Sequence, residues 1–289
     1  MKLITYPYKT QQVALPNNVT ISYIDEGSAE KTLLFIHGLA NYALCWRKNI
    51  DYLRQFYRCI AIDLPGNGLS DRNEHKFGMP FFSDSVYNFI EALGLKNLCI
   101  VGHSLGGQVA MTTVLNHPEC AQTMILCAPA GFERFSALDK SLYYGTLQFL
   151  DFLSSDELAL RKTIERSFYR FPAQAEGMIT ELSTIVKANK AQYYRKMLEG
   201  CIRGLLEDVV YDKLHLIKQP TLVQFGKKDE LIPNKLLHHT TTEKLATEAV
   251  KEIPGAILKM YADCGHFVQW EKADEVNRDM IMFLEGGKG

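Results

Sequence analysis

A chain of 289 residues with 47% hydrophobic content is long enough to bury a substantial core, as one large domain or as a domain carrying an insertion. A formal net charge of −1 speaks against nucleic acid or an anionic membrane surface as the main partner. Seven cysteines, an odd number without paired spacing, fit reduced thiols in a cytoplasmic protein better than a disulfide framework. The opening MKLITYPYKTQQVALPNN has no apolar signal-peptide run, and no later stretch is long enough to span a bilayer.

Residues 11 to 26 predict a hairpin, with QQVAL and VTISYID as strands and Pro16-Asn17-Asn18 as the turn. Thr32 to Ile36 (TLLFI) is a continuous apolar strand of the kind buried on both faces of a parallel sheet, and it runs into His37-Gly38-Leu39-Ala40-Asn41. Ala43 to Phe56 predicts a short helix, Arg58 to Asp63 a strand, and Asp63 to Asp71 a loop of turn formers. Phe81 to Leu95 is amphipathic, with Val86, Phe89, Ile90 and Leu93 on one face.

Asn97 to Val101 (NLCIV) has strand length and composition, and Gln108 to Asn116 reads as a buried helix. Between them stands Gly102-His103-Ser104-Leu105-Gly106-Gly107, a G-x-S-x-G motif joining strand to helix. Crowding at so tight a turn admits little but glycine two positions either side of Ser104, and Gly107 lets the helix pack close to the sheet. The helix N-terminus then points free N–H groups and a positive dipole end at the serine. Taken alone, the motif is also readable as a glycine-rich turn that happens to hold a serine.

Gln122 to Ala128 is a further buried strand, closed by Pro129-Ala130-Gly131. From Phe132 to Asp212 the strand–helix alternation stops and successive helical patterns follow. Ser154-x-x-Glu157 has capping-box spacing, Pro172 opens a helix, and Ala191 to Leu206 reads as another. The aromatics Phe132, Phe135, Tyr143, Tyr144, Phe149, Phe168, Tyr169, Tyr193 and Tyr194 hold these helices together, with a few expected to face a pocket over Ser104. Pro220 restarts the core with the strand TLVQFG, then residues 234 to 250 predict a helix, Ile257 to Tyr261 the last strand, and Ala273 to Leu284 the final helix. The terminal GGKG reads as frayed.

A serine hydroxyl is a weak nucleophile at neutral pH and needs a base, oriented in turn by an acid. Asp229 follows the strand TLVQFG, and His266 follows ILKMY, so the chain order is Ser104, Asp229, His266, each at the C-terminal end of a predicted strand. That is the Ser…Asp…His order of the α/β-hydrolase fold, and over most of its length the chain resembles that superfamily, in its serine-nucleophile branch with a helical cap.

The resemblance implies a mostly parallel eight-stranded sheet flanked by helices, with residues 1–131 and 213–289 as the core and 132–212 as an all-helical cap. It implies Ser104 as nucleophile, His266 as base and Asp229, rather than its neighbour Glu230 or Glu133, as acid. Carried over by position, the backbone amides of Leu39 and Leu105 are the oxyanion donors. Asp63-Leu64-Pro65-Gly66-Asn67-Gly68-Leu69-Ser70 resembles the family's D-x-P-G-x-G-x-S stretch, where Asp63 stabilises a turn, and His37 braces its loop. No cofactor and no metal are implied. The expected chemistry is acyl transfer on small or medium carboxylic esters. Cys264 to Arg278 (CGHFVQWEKADEVNR) resembles the same segment of meta-cleavage-product hydrolases, which split carbon–carbon bonds, although Leu39-Ala40-Asn41 and His103 depart from their pattern. A non-catalytic binding protein on the same fold is the third possibility, and such proteins often lack a triad member that is present here.

Overall fold

The computed structural model describes residues 5–16, 18–146, 157–188 and 191–286. Strands β1 (Thr10–Leu15), β2 (Val19–Glu26), β3 (Thr32–Ile36), β4 (Arg58–Ile62), β5 (Leu98–His103), β6 (Thr123–Cys127), β7 (Thr221–Gly226) and β8 (Ile257–Tyr261) form an eight-stranded sheet. Its order is β1-β2-β4-β3-β5-β6-β7-β8. The hairpin pairs antiparallel with Leu15 opposite Val19, β2 pairs antiparallel with β4, and the remaining pairs are parallel. The chain thus has the α/β-hydrolase fold that its sequence pattern implied.

The central strands are buried on both faces because their side chains alternate between two apolar layers. Leu34, Ile36, Ile60, Ile100, Leu126 and Phe225 face a layer that includes Phe82 and Phe89 of α2 (Met79–Ala92), Val109 of α3 (Leu105–Asn116) and Ala246 of α8 (Thr242–Glu252). Leu33, Phe35, Ala61, Val101, Ile125 and Leu222 face the other layer, with Ile50 of α1 (Arg47–Leu53), Trp270 of α9 (Val268–Glu271), and Val276 and Met280 of α10 (Ala273–Leu284).

Among the described residues only helices lie between β6 and β7: α4 (Ala137–Thr146), α5 (Glu157–Arg166), α6 (Glu176–Ala188) and α7 (Ala191–Glu207), then a 3-10 turn at Tyr211–Leu216. Pro172 is extended (φ −83°, ψ 141°) and leads through a 3-10 turn at Ala173–Ala175 into α6. Asn17, Phe149, Ser154 and residues 287–289 lie outside the described residues. Helix α7 sits tightly on the start of α2, because Cβ atoms at Gly200 and Gly204 would come within 2.7 Å of Phe77 Cβ and 2.9 Å of Gly78 Cα. Just after α7, Asp208 Oδ2 accepts the Met79 N–H (3.0 Å), one of the donors left open in the first turn of α2.

Several element limits differ from the sequence pattern. The stretch 43–56 is a 3-10 turn at Ala43–Trp46 followed by α1, and the predicted helix 81–95 runs from Met79 to Ala92. The predicted helix 234–250 begins only at Thr242. Asn234 Oδ1 accepts the Leu236 N–H (3.0 Å), and the Thr241 side chain caps α8 by accepting from Lys244 N (3.2 Å). Such short polar side chains satisfy the backbone locally and so compete with helix.

The loop after β4 is organised by Asp63, which is fully buried. Its Oδ1 accepts from Ala43 N (2.7 Å), and its Oδ2 from Leu69 N (2.8 Å) and Tyr6 Oη (2.7 Å). Burial raises its pKa to about 6, against the pull of those donors. The folded chain therefore holds this proton more tightly than the unfolded chain. The stability it contributes is complete below the ordinary carboxylate pKa and is lost as pH rises through about 6. Asp63→Asn should remove that slope from melting temperatures measured between acid and neutral pH. Asp63→Ala should instead destabilise at every pH by about 1–3 kcal/mol for each stranded N–H.

Candidate active site

Ser104 stands between β5 and α3 at φ 53°, ψ −120°, a conformation that L-residues rarely adopt. It is held there by its backbone: Ser104 N donates to Cys127 O (3.1 Å), and Ser104 O accepts from Gly107 N (2.9 Å) and Ala130 N (3.0 Å). A Cβ at Gly102 would overlap the Gly106 carbonyl, and one at Gly106 would overlap the carbonyls of Ile36 and His37. At Gly107 a Cβ would come within 2.6 Å of Pro129 Cβ, so this glycine admits the loop after β6 rather than the sheet itself.

The loop after β3 is braced by His37, whose ring is buried and whose pKa burial lowers to about 4. The neutral ring donates from Nδ1 to Gly38 O (2.7 Å) and accepts at Nε2 from Leu64 N (3.0 Å). A Cβ on Gly38 would lie 3.1 Å from Ser104 Cβ, so the loop passes directly over the serine and brings Leu39 to the same cavity. Leu105, as the first residue of α3, has an N–H with no partner inside the helix.

Asp229 and His266 follow β7 and β8, and both are buried. Asp229 Oδ1 accepts from Leu231 N (2.8 Å) and Ile232 N (3.0 Å), while Oδ2 accepts from His266 Nδ1 at 2.8 Å. That bond assigns the Nδ1 proton and leaves Nε2 as the basic nitrogen. Glu230 is exposed and stands 3.8 Å from Arg166. Ser104 and His266 line one cavity, although among the described residues no hydrogen bond joins them. Contacts of this kind commonly tighten only when substrate is bound.

Further residues fix the His266 loop. His103 donates from Nε2 to His266 O (3.1 Å), with its ring 4.8 Å from the His266 ring, and burial holds its pKa well below the usual imidazole value. Ser167 O, beyond α5, accepts from His266 N (2.8 Å) and Phe267 N (3.2 Å). Glu271 returns the link by accepting from Gly265 N (2.7 Å), Tyr169 N (3.0 Å) and Arg170 N (3.0 Å). No sequence signal marks Ser167, because its bond is made by a backbone carbonyl. Glu271 stands in the sequence only as part of the segment Cys264 to Arg278, with no role of its own.

The cavity has a volume of about 550 Å³. Of the aromatics in the insertion, Phe135, Tyr143 and Tyr194 line it. Phe132 packs against Phe225 in the core, Phe168 stacks on Phe267, and Tyr193 packs on Phe77. Cys264 is fully buried beside the His266 loop, and burial pushes its thiol pKa up, which disfavours a thiolate. Among the described residues no group of His, Cys, Asp and Glu could hold a metal ion, and no helix is long and apolar enough to cross a membrane.

The alpha/beta hydrolase fold family matches residues 31–273, and the chain belongs to it. It is a hydrolase of that fold. It is 28% identical over 271 residues to 2-hydroxy-6-oxo-6-phenylhexa-2,4-dienoate hydrolase of Comamonas testosteroni, covering 91% of each chain. It is 27% identical over 280 residues to the dihydrolipoyllysine-residue acetyltransferase component of the acetoin cleaving system of Cupriavidus necator, covering 95% of this chain and 69% of that one. Among solved structures it resembles an esterase from Exiguobacterium antarcticum with a TM-score of 0.81 at 18% identity, covering 95% of this chain and 99% of that one; at that identity the likeness is one of fold.

Glu271→Ala should uncouple residues 167–170 from the His266 loop. Turnover should fall by about a hundred-fold, the scale of a misplacement near 1 Å, while limited proteolysis around residue 169 accelerates. Glu271→Gln, which keeps an acceptor, should fall between the two. Full activity in Glu271→Ala would show that the link does not position His266.

Proposed function

We propose that the protein is a serine hydrolase of small or medium carboxylic esters, with Ser104 as nucleophile, His266 as general base and Asp229 as the orienting acid. The observation that carries this reading is the buried Asp229–His266 pair opening, with Ser104, on one largely apolar cavity. His266 Nε2 takes the Ser104 proton as Oγ attacks the ester carbonyl, and Asp229 stabilises the imidazolium that results. The amides of Leu39 and Leu105 receive the oxyanion. The alcohol leaves with the proton from His266, and water activated by the same nitrogen releases the acid from the acyl-enzyme. Residues 132–212 serve as a helical cap that walls the cavity and excludes water, which strengthens the oxyanion contacts. Seven unpaired cysteines, six of them buried, suit a reducing compartment, and the proposed location is the cytoplasm.

A second reading, carbon–carbon bond hydrolysis of the meta-cleavage-product type, is favoured by the similarity to the Comamonas testosteroni hydrolase and by the segment Cys264 to Arg278. The substrate named for that relative is a dienoate and carries a carboxylate. The cations that line this cavity, Arg166 and Lys235, are both exposed, and Arg166 stands 3.8 Å from Glu230. Among the described residues a carboxylate therefore finds no buried cation on the cavity wall, which supports an ester without one. Initial rates on p-nitrophenyl esters of graded acyl length, beside a dienoate diketo acid, separate the two readings.

A fluorophosphonate probe should label the protein on Ser104, and labelling should disappear in Ser104→Ala. Persistent labelling in that variant would move the nucleophile elsewhere. Asp229→Asn should keep the fold and lower turnover by about 10⁴, because the amide favours the wrong imidazole tautomer. Glu230→Gln should stay near wild type. A reversed pattern would assign the acid to Glu230.

A further inference from the structure

The cavity also holds polar groups that the proposed reaction does not use: the exposed cations Arg166 and Lys235, and one buried carboxylate, Glu133. Glu133, on the loop after β6, lines the cavity and is 9% exposed. Both of its hydrogen bonds fall on one oxygen: Oε1 accepts from Asn234 N and from His238 Nδ1, each at 2.7 Å. Among the described residues Oε2 has no donor, and it is not among the unpartnered polar atoms sealed from solvent. Gln108, one helical turn beyond Ser104, also lines the cavity. Its amide nitrogen donates to Asp208 O (2.9 Å), while its Oε1 is sealed from solvent and so offers no acceptor to a bound group.

Burial raises the Glu133 pKa, with a smaller push from Asp229, while the Asn234 N–H and His238 favour its charged form. Tyr143 lines the same cavity, and its phenol feels the Glu133 charge. A group that enters beside Glu133 with N–H or O–H to donate satisfies its open oxygen, whereas a carboxylate there meets like charge.

We propose that Glu133 is a specificity-determining residue: the cavity takes esters whose far end carries a hydrogen-bond donor, a hydroxyl or a protonated amine, and rejects those ending in a carboxylate. The proposal rests on the hydrolase reading above and names the substrate class of that same site.

The test is a series of p-nitrophenyl esters of equal length ending in methyl, hydroxyl, ammonium or carboxylate. In the wild type, kcat/KM for the hydroxyl or ammonium ester should exceed that for the methyl ester by about ten- to a hundred-fold, the scale of a hydrogen bond to a charged group. The carboxylate ester should rank last. Whichever donor-ended ester leads tells the alcohol from the amine. In Glu133→Gln the ammonium-over-methyl ratio should collapse towards unity, and the carboxylate ester should recover by about ten-fold. A wild type indifferent to the end group, or a variant that keeps the wild-type ratios, overturns the proposal. Should Glu133→Gln not fold, the wild-type ranking decides alone. In a second arm an aliphatic ammonium and an aliphatic carboxylate of equal length are titrated into the Ser104→Ala protein. If no ester is turned over, the hydrolase reading fails; tighter binding of the ammonium then upholds the subsite, and equal or reversed affinities overturn it.

Discussion

The architecture of the site depends on one constraint: three segments of backbone meet around Ser104 with no room for side chains between them. Glycines at 102 and 106 allow the start of α3 to touch β5 and the carbonyls of Ile36 and His37. The serine backbone sits in a conformation that costs on the order of 1–3 kcal/mol. The hydrogen bonds from Ser104 N to Cys127 O, and from Gly107 N and Ala130 N to Ser104 O, hold it there. Those bonds reach into β6 and its following loop, so the strain is borne by the sheet rather than by the turn alone. The same closeness brings the Leu39 loop over the serine, and His37 fixes that loop by bonding at both ring nitrogens.

Around His266 the electrostatics are arranged by removing competitors. The neighbouring imidazole of His103, and that of His37 in the loop after β3, are buried and pushed towards the neutral form. Asp229 then stands as the charged partner of His266, and its second oxygen is occupied by two backbone N–H groups, which fix the carboxylate plane. A cation that develops on His266 in the proposed reaction therefore faces a carboxylate already oriented to receive it, with little reorganisation required.

The parts of this arrangement that were legible in the sequence are those set by local chemistry. Five consecutive apolar residues in TLLFI dictate a doubly buried strand, and glycines two positions either side of Ser104 dictate a tight turn. The placing of Asp229 and His266 was legible because each follows a strand-like run, TLVQFG and ILKMY. What stayed hidden was made by backbone atoms or by contacts between distant segments. No pattern marks Ser167 as an acceptor for His266 N, since any residue supplies a carbonyl. Helix 234–250 was overextended because its apolar spacing continues through residues where Asn234 and Thr241 terminate the backbone pairing. The aromatics of the insertion could be counted but not oriented, because helical spacing alone does not say which stripe meets the cavity and which meets the core.

Helix α7 shows how these choices are coupled. Tyr194, Leu198, Ile202 and Leu205 form one stripe along the cavity, at spacings of three and four residues. Met197 and Cys201 are buried on the adjacent stripe, where Gly200 and Gly204 let the helix descend onto Phe77 and Gly78. The distance between cavity stripe and core is therefore fixed by glycine contacts that no substrate touches. A larger residue at either glycine would lift the whole stripe, enlarging the cavity as it weakens the packing on α2. Exchanging side chains within the cavity stripe changes shape without moving the helix. Substrate selection on this fold can therefore vary freely along one face of α7, while the opposite face is constrained by close approach to the residues that begin α2.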